Sequence, residues 1–175
     1  MLKLLIKGGD FYIESKNEFV TISPQPLHLE HSLISISKWE SKWNRSYLHD
    51  GPKTEDEKIS YIQDMTVNQN VNPMVYKVLT GKQRSQIEAY INSPMTATTI
   101  NRRQQKPGKK QIVTSELIYY WMTCYNIPFE CEKWHLNRLM TLIEICSIKS
   151  NPTKESKKEA AARHRAVNAR RRAKH

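Results

Sequence analysis

Short apolar runs separated by polar turn residues make up the beginning of the chain and predict short β-strands. Three such runs are separated by turn-forming residues, Gly8-Gly9-Asp10 and Ser15-Lys16-Asn17, so consecutive strands are expected to pair in an antiparallel meander. Pro24 and Pro26 are expected to end it, because proline lacks the N–H that a ladder requires. The predicted strands are Leu2–Ile6, Phe11–Glu14 and Phe19–Ser23.

After the prolines, apolar residues recur at the spacing of a helix. The segment 31–43 also contains a short strand-like alternation, but its helical pattern covers more residues and favours a helix. The stretch Thr54-Glu55-Asp56-Glu57 matches a capping box and predicts a helix over 55–65, with its acids at the positive end of the helix dipole. Asn72-Pro73 predicts a further helix start, followed by a helix over 82–92 that ends at Ser93-Pro94.

The second half of the chain predicts two core helices behind a basic loop. The β-leaning segments 96–100 and 111–114 flank ten residues that contain Pro107-Gly108, which favours a basic hairpin. The segment 116–126 is apolar or aromatic on every side, which is typical of a buried helix, and 132–147 has one apolar face.

These elements predict an α+β fold that is mainly α-helical. It comprises a small N-terminal antiparallel β meander, a helical core, an internal basic hairpin and a basic C-terminal tail. We expect residues 1–150 to form a single folded domain. Residues 151–175 are expected to be a basic tail that is partly helical or disordered.

The chain of 175 residues carries a net charge of +11, and its distribution changes how this value is interpreted. Residues 1–100 contain 11 basic and 11 acidic side chains, whereas residues 154–175 contain nine basic and two acidic ones. The excess therefore belongs to the tail and to the internal basic segment, and both could meet nucleic acid or an acidic protein. The candidate contacts are Arg102, Arg103, Lys106, Lys109, Lys110, Arg170, Arg171 and Arg172.

The sequence lacks the usual catalytic signatures, since GxSxG, the P-loop, HExxH and GxGxxG are all absent. We therefore expect no enzymatic activity, no metal and no cofactor. Three cysteines without paired spacing predict reduced thiols, and no apolar run is long enough for a membrane span. A soluble cytosolic protein without a membrane partner is the expectation.

Several motifs resemble those of one protein family. They are Leu29-Glu30-His31-Ser32-Leu33 with Ser37-Lys38-Trp39-Glu40-Ser41-Lys42-Trp43, then Met95-Thr96-Ala97-Thr98-Thr99, then the segment from Ile127-Pro128-Phe129 to Trp134-His135-Leu136-Asn137-Arg138-Leu139, and the basic end Asn168–Lys174. Together they resemble the tail assembly chaperones of long-tailed bacteriophages, over most of residues 27–175.

The resemblance implies a non-enzymatic virion morphogenesis protein in the host cell cytoplasm. It would bind the tape measure protein, keep it soluble and help tail tube subunits assemble around it. A chaperone of this kind needs an apolar or aromatic face, and Ile36, Trp39 and Trp43 are the candidates for it. The alternative is a nucleic-acid-binding phage protein that uses the basic hairpin and tail, and homo-oligomer formation stays open.

Overall fold

The computed structural model describes residues 1–13, 17–100, 111–150 and Arg165. It divides the chain into two compact units, Met1–Ile143 and Glu144–His175. The α+β, mainly helical class is confirmed. The strands are β1 Leu2–Ile6, β2 Gly9–Ile13, β3 Glu18–Ile22 and β4 Gln25–Leu29, and the α-helices are α1 Leu33–Trp43, α2 Glu55–Met65, α3 Gly81–Asn92, α4 Ser115–Cys124 and α5 Leu136–Ser150. Two 3₁₀ segments, Pro73–Tyr76 and Phe129–Lys133, complete the described elements.

The N-terminal strands pair differently from the expected meander. β2 and β3 form one antiparallel hairpin, whereas β1 pairs with β4, a strand that the prolines led us not to expect. Pro26 lies opposite Leu5 in that second pair. In a two-stranded antiparallel sheet only alternate residues direct their N–H groups at the partner strand, so proline is tolerated at the other positions.

Helices α1 and α2 pack against each other and supply much of the core. The α1 stripe of Leu33, Ile36 and Trp39 is buried, which confirms the helical interpretation of this segment. The predicted capping box of α2 is present: Thr54 Oγ1 accepts from the Glu57 N–H, and the Glu57 carboxylate accepts from the Thr54 N–H at 2.7 Å. Local sequence thus sets where α2 begins.

The prediction of a basic hairpin is wrong for the two segments that were expected to be its strands. Neither 96–100 nor 111–114 is a strand, and the ten residues between them lie outside the described part of the chain. Side chains hold the chain on both sides of this segment instead. The Asn137 amide donates to the Ser93 carbonyl at 2.8 Å, and the Ser46 hydroxyl donates to the Val113 carbonyl at 2.7 Å.

Two helices follow the basic segment. Thr114 caps α4 by accepting from the Leu117 N–H, and the chain turns after α4 at Asn126, whose φ is 52°. The next helix was expected from Glu132, but residues Phe129–Lys133 form a 3₁₀ segment and α5 begins at Leu136. Within the described residues, no helix is both long and apolar enough to span a membrane.

Candidate functional site

Two of the three residues predicted to form a partner-binding face are not available to a partner. Ile36 and Trp39 are fully buried, because the apolar stripe of α1 is the surface that packs in the core, Trp39 beside α2. The Trp39 indole donates its N–H to the Glu57 carbonyl of α2 at 3.0 Å. These two side chains therefore stabilise the fold and offer nothing to a partner.

Trp43 is the member of that set that reaches the surface, with 36% of its area exposed. Its ring stacks on Trp39 with 6.1 Å between centroids, and its indole N–H donates to the Ser60 hydroxyl at 3.2 Å. One partly exposed indole that already has a hydrogen-bond partner is a small binding surface. The basic candidates Arg102, Arg103, Lys106, Lys109, Lys110, Arg170, Arg171 and Arg172 lie outside the described residues.

Two of the motifs that carry the family resemblance meet in the core. The Leu136 N–H donates to the His31 carbonyl at 2.7 Å, and Ser32 and His135 form an isolated antiparallel bridge. The first motif therefore joins the end of β4 and start of α1 to the start of α5. These residues contribute to the packing of the fold, and no sequence pattern indicates that the two segments touch.

The histidines at this junction are held neutral. His135 Nε2 donates to the Tyr90 carbonyl at 3.0 Å, while its Nδ1 accepts from the Asn137 N–H, so both ring nitrogens have partners. Burial, with the nearby His135 ring as a second cause, lowers the pKa of His31 to about 3. Burial likewise lowers the pKa of His135. Among the residues described here, no group of three or more His, Cys, Asp or Glu side chains is placed to hold a metal ion.

Helix α4 provides an exposed apolar surface that the sequence interpretation missed. The expectation that α4 is buried all round is wrong, since only Ser115, Ile118 and Met122 are buried. On the opposite side lies a second apolar row, which we call the outer stripe. Its members are Leu117, Tyr120, Trp121 and Cys124.

The outer stripe combines helical spacing with exposure. Its positions fall at i, i+3, i+4 and i+7, which places all four on one face of the helix. Tyr120 is 62% exposed and Cys124 is exposed, while Leu117 and Trp121 are half-buried. The signal was present in the sequence as a helix with two apolar rows, but the sequence does not indicate which row the core covers.

Phe129 is a further exposed aromatic side chain close to α4, packed on Tyr119 rather than on the outer stripe. Phe129, in the 3₁₀ segment, is 57% exposed and lies 6.3 Å from the Tyr119 ring, centroid to centroid. The Tyr119 hydroxyl donates to the Glu132 carboxylate at 2.8 Å, and both burial and this contact raise the tyrosine's pKa. The 3₁₀ segment is thereby fixed against α4, and Phe129 has a defined position.

Comparison with protein-family models, curated proteins and solved structures gives no match.

Proposed function

We propose that this chain is a non-enzymatic phage tail morphogenesis protein, an assembly chaperone that binds the tape measure protein in the host cell cytoplasm. The observation that carries the proposal is the outer stripe of α4, together with the motifs that resemble tail assembly chaperones. Tail tube subunits are the second expected partners.

The spacing of the outer stripe suits a helical client. Anchors at i, i+3, i+4 and i+7 are those by which one amphipathic helix packs against another helix or its groove. A tape measure protein, as the resemblance implies, is long and rich in apolar helix, so its unassembled segments need such a cover. Tyr120 and the half-buried Trp121 supply aromatic area, which often dominates the binding energy of an interface.

Co-expression with the tape measure protein of the same phage, followed by pull-down, tests the proposal directly. We expect the two chains to co-purify, and expect the double substitution Tyr120→Ser with Cys124→Asp to abolish the complex. Phe19→Ser is the matched control, because Phe19 is also exposed, at 74%, but lies on the β2–β3 hairpin. Failure of the wild-type chain to capture the tape measure protein at micromolar concentrations would refute this function.

The second candidate function is nucleic-acid binding, which the charge of the segments 101–110 and 154–175 favours. It predicts DNA or RNA binding that weakens steeply as salt is added, because phosphate contacts release counterions. Replacing Arg170, Arg171 and Arg172 by Ala should reduce both the affinity and its salt dependence. A gel-shift series at increasing salt distinguishes this function from the first, since the outer-stripe double variant should bind nucleic acid as the wild type does.

A further inference from the structure

A cleft of about 450 Å³ opens beside α2 and α3, away from the outer stripe of α4. Its volume lies within the range of roughly 300–1,000 Å³ that is typical of small-molecule sites. The loop from Gly51 to Lys53 and the Tyr47 side chain form the rest of its wall. Neither the family motifs nor the proposed chaperone activity accounts for this cleft.

The interior of the cleft is apolar. Ile59 and Ile62 line it from α2, and Ile87 and Ile91 line it from α3. Ile62 and Ile87 are buried, whereas Ile59 and Ile91 are half-buried and so remain accessible to an occupant. An apolar chain bound here would be transferred from water to a preformed apolar surface, which is favourable.

Three cations and two carboxylates surround this interior. Lys58 and Arg84 both contact the Glu55 carboxylate, each at 2.7 Å, so one negative charge lies between two positive ones. Lys53 is the third cation, and Glu88 is the second carboxylate. The lining therefore has an excess of positive charge, which favours an anion over a cation.

Lys53 is the lining cation that forms no salt bridge among the described residues, unlike Lys58 and Arg84. Its ammonium donates to the Tyr47 carbonyl at 2.7 Å and lies 4.3 Å from the centroid of the Tyr47 ring. These contacts hold the group in position and use one of its three N–H donors, so two donors remain for a ligand. Burial, followed by the nearby Arg45 guanidinium, lowers the pKa of Lys53, and the Glu57 and Asp50 carboxylates partly oppose this shift, as a bound anion also would.

We propose that the cleft binds an amphipathic carboxylate, with its anionic group at Lys53 and its apolar chain against the four isoleucines. The excess positive charge of the lining favours an anionic head group, and the four isoleucines contact the apolar chain. This inference does not depend on the chaperone function, because it involves different helices and a different class of ligand.

A fluorescent fatty acid tests the proposal on the full chain. Dansyl-labelled undecanoate should bind saturably at one site, and its methyl ester, which has the same apolar body without the charge, should bind about three- to fivefold more weakly. Equal affinity for the acid and the ester would overturn the proposal, because the cations would then have no role.

Charge variants locate the site. Lys53→Gln should weaken binding of the acid about three- to fivefold and leave binding of the ester unchanged, whereas Glu88→Gln should strengthen binding of the acid. Lys82→Gln is the matched control, since Lys82 is exposed on α3, lies outside the cleft and changes the net charge equally. If Lys82→Gln has the same effect as Lys53→Gln, the attraction is general and the proposal fails.

Two further variants separate the cleft from the outer stripe. Ile59→Trp, which fills the cleft, should abolish binding, whereas Tyr120→Ser should leave it intact. Loss of binding in Tyr120→Ser alone would place the probe on α4 and overturn the proposal. Because Lys53 packs on an aromatic ring, circular dichroism is used to check that Lys53→Gln folds. If Lys53→Gln does not fold, Glu88→Gln, at an exposed position, tests the role of charge instead.

Discussion

The imidazole rings of His31 and His135 lie edge to face in the core, with 5.0 Å between their centroids. The side chains belong to segments about a hundred residues apart, and their exposures are 2% and 4%. Two charged imidazoles at this separation would repel each other inside a poorly solvated interior. Charging both rings would therefore destabilise the fold.

Acid should destabilise the protein through this pair. The folded-state pKa of His31, about 3, lies below its ordinary value of 6.5, so the unfolded chain binds a proton first as the pH falls. The stability that neutral His31 contributes is complete above pH 6.5 and decreases as the pH falls toward 3. At pH 5 this loss amounts to about 2 kcal/mol for His31, before His135 adds to it. Urea titrations at pH 7 and pH 5 measure it.

The variant His31→Asn isolates the contribution of His31. Asn retains an acceptor for the Tyr61 hydroxyl, which contacts His31 Nδ1, but does not titrate in this range. We expect the variant to lose less stability between pH 7 and pH 5 than the wild type. An identical loss in both proteins would show that His31 does not titrate as its burial implies.

Glu40 should stabilise the packing of α4 on α1. Its carboxylate is buried and accepts from the Tyr47 N–H at 2.8 Å and from the Ser115 N–H at 2.7 Å. Glu40→Gln replaces one acceptor by a donor that faces an N–H, so the free energy of unfolding should fall by about 2 kcal/mol. Glu130→Gln, at an exposed carboxylate, should change it by less than about 0.5 kcal/mol in the same urea titration.

The same substitution at Trp39 and Trp43 should give different results. Trp39→Phe leaves the buried Glu57 carbonyl without its indole donor and creates a cavity, so we expect a loss of about 2–3 kcal/mol. Trp43→Phe, at the partly exposed site, should cost less than about 1 kcal/mol. Similar losses at both positions would contradict the separation of Trp39 as a core residue from Trp43 as a surface residue.

A pair of variants on α4 distinguishes its two apolar rows. Met122→Ser should lower the free energy of unfolding by about 3 kcal/mol or more, because Met122 is fully buried. Tyr120→Ser should change it by no more than about 0.5 kcal/mol, since most of the ring is already in water. Thermal unfolding of both variants beside the wild type measures the difference. A large loss at Tyr120 would mean that the outer stripe supports the fold.

Sequence patterns predict those elements whose boundaries depend on residues close together in the chain. The start of α2 depends on Thr54 and Glu57, three positions apart, and the sequence predicts both its first and its last residue. Strand β4 was missed for the opposite reason. Its pairing with β1 brings together residues about 25 positions apart, and the general rule that proline ends a strand is relaxed in a sheet of two strands.

The candidate binding face was mispredicted because exposure is decided by tertiary contacts. Trp39 and Trp43 occupy the same side of α1, yet α2 covers the first much more fully than the second. On α4 the reverse holds: apolar residues on every side predict a buried helix, whereas the fold covers one row and leaves the other exposed. Periodicity identifies a helix face but does not say what lies against it.

The two hydrogen bonds that hold the chain at Ser93 and at Val113 bear on how the length of the basic segment affects stability. Both anchors lie in the described part of the chain, one before and one after residues 101–110, so we expect changes in the length of this connection to cost little stability. Doubling the length of such a loop adds only about 0.6 kcal/mol of closure entropy. Variants that shorten or lengthen the ten-residue basic stretch should therefore keep nearly the same free energy of unfolding.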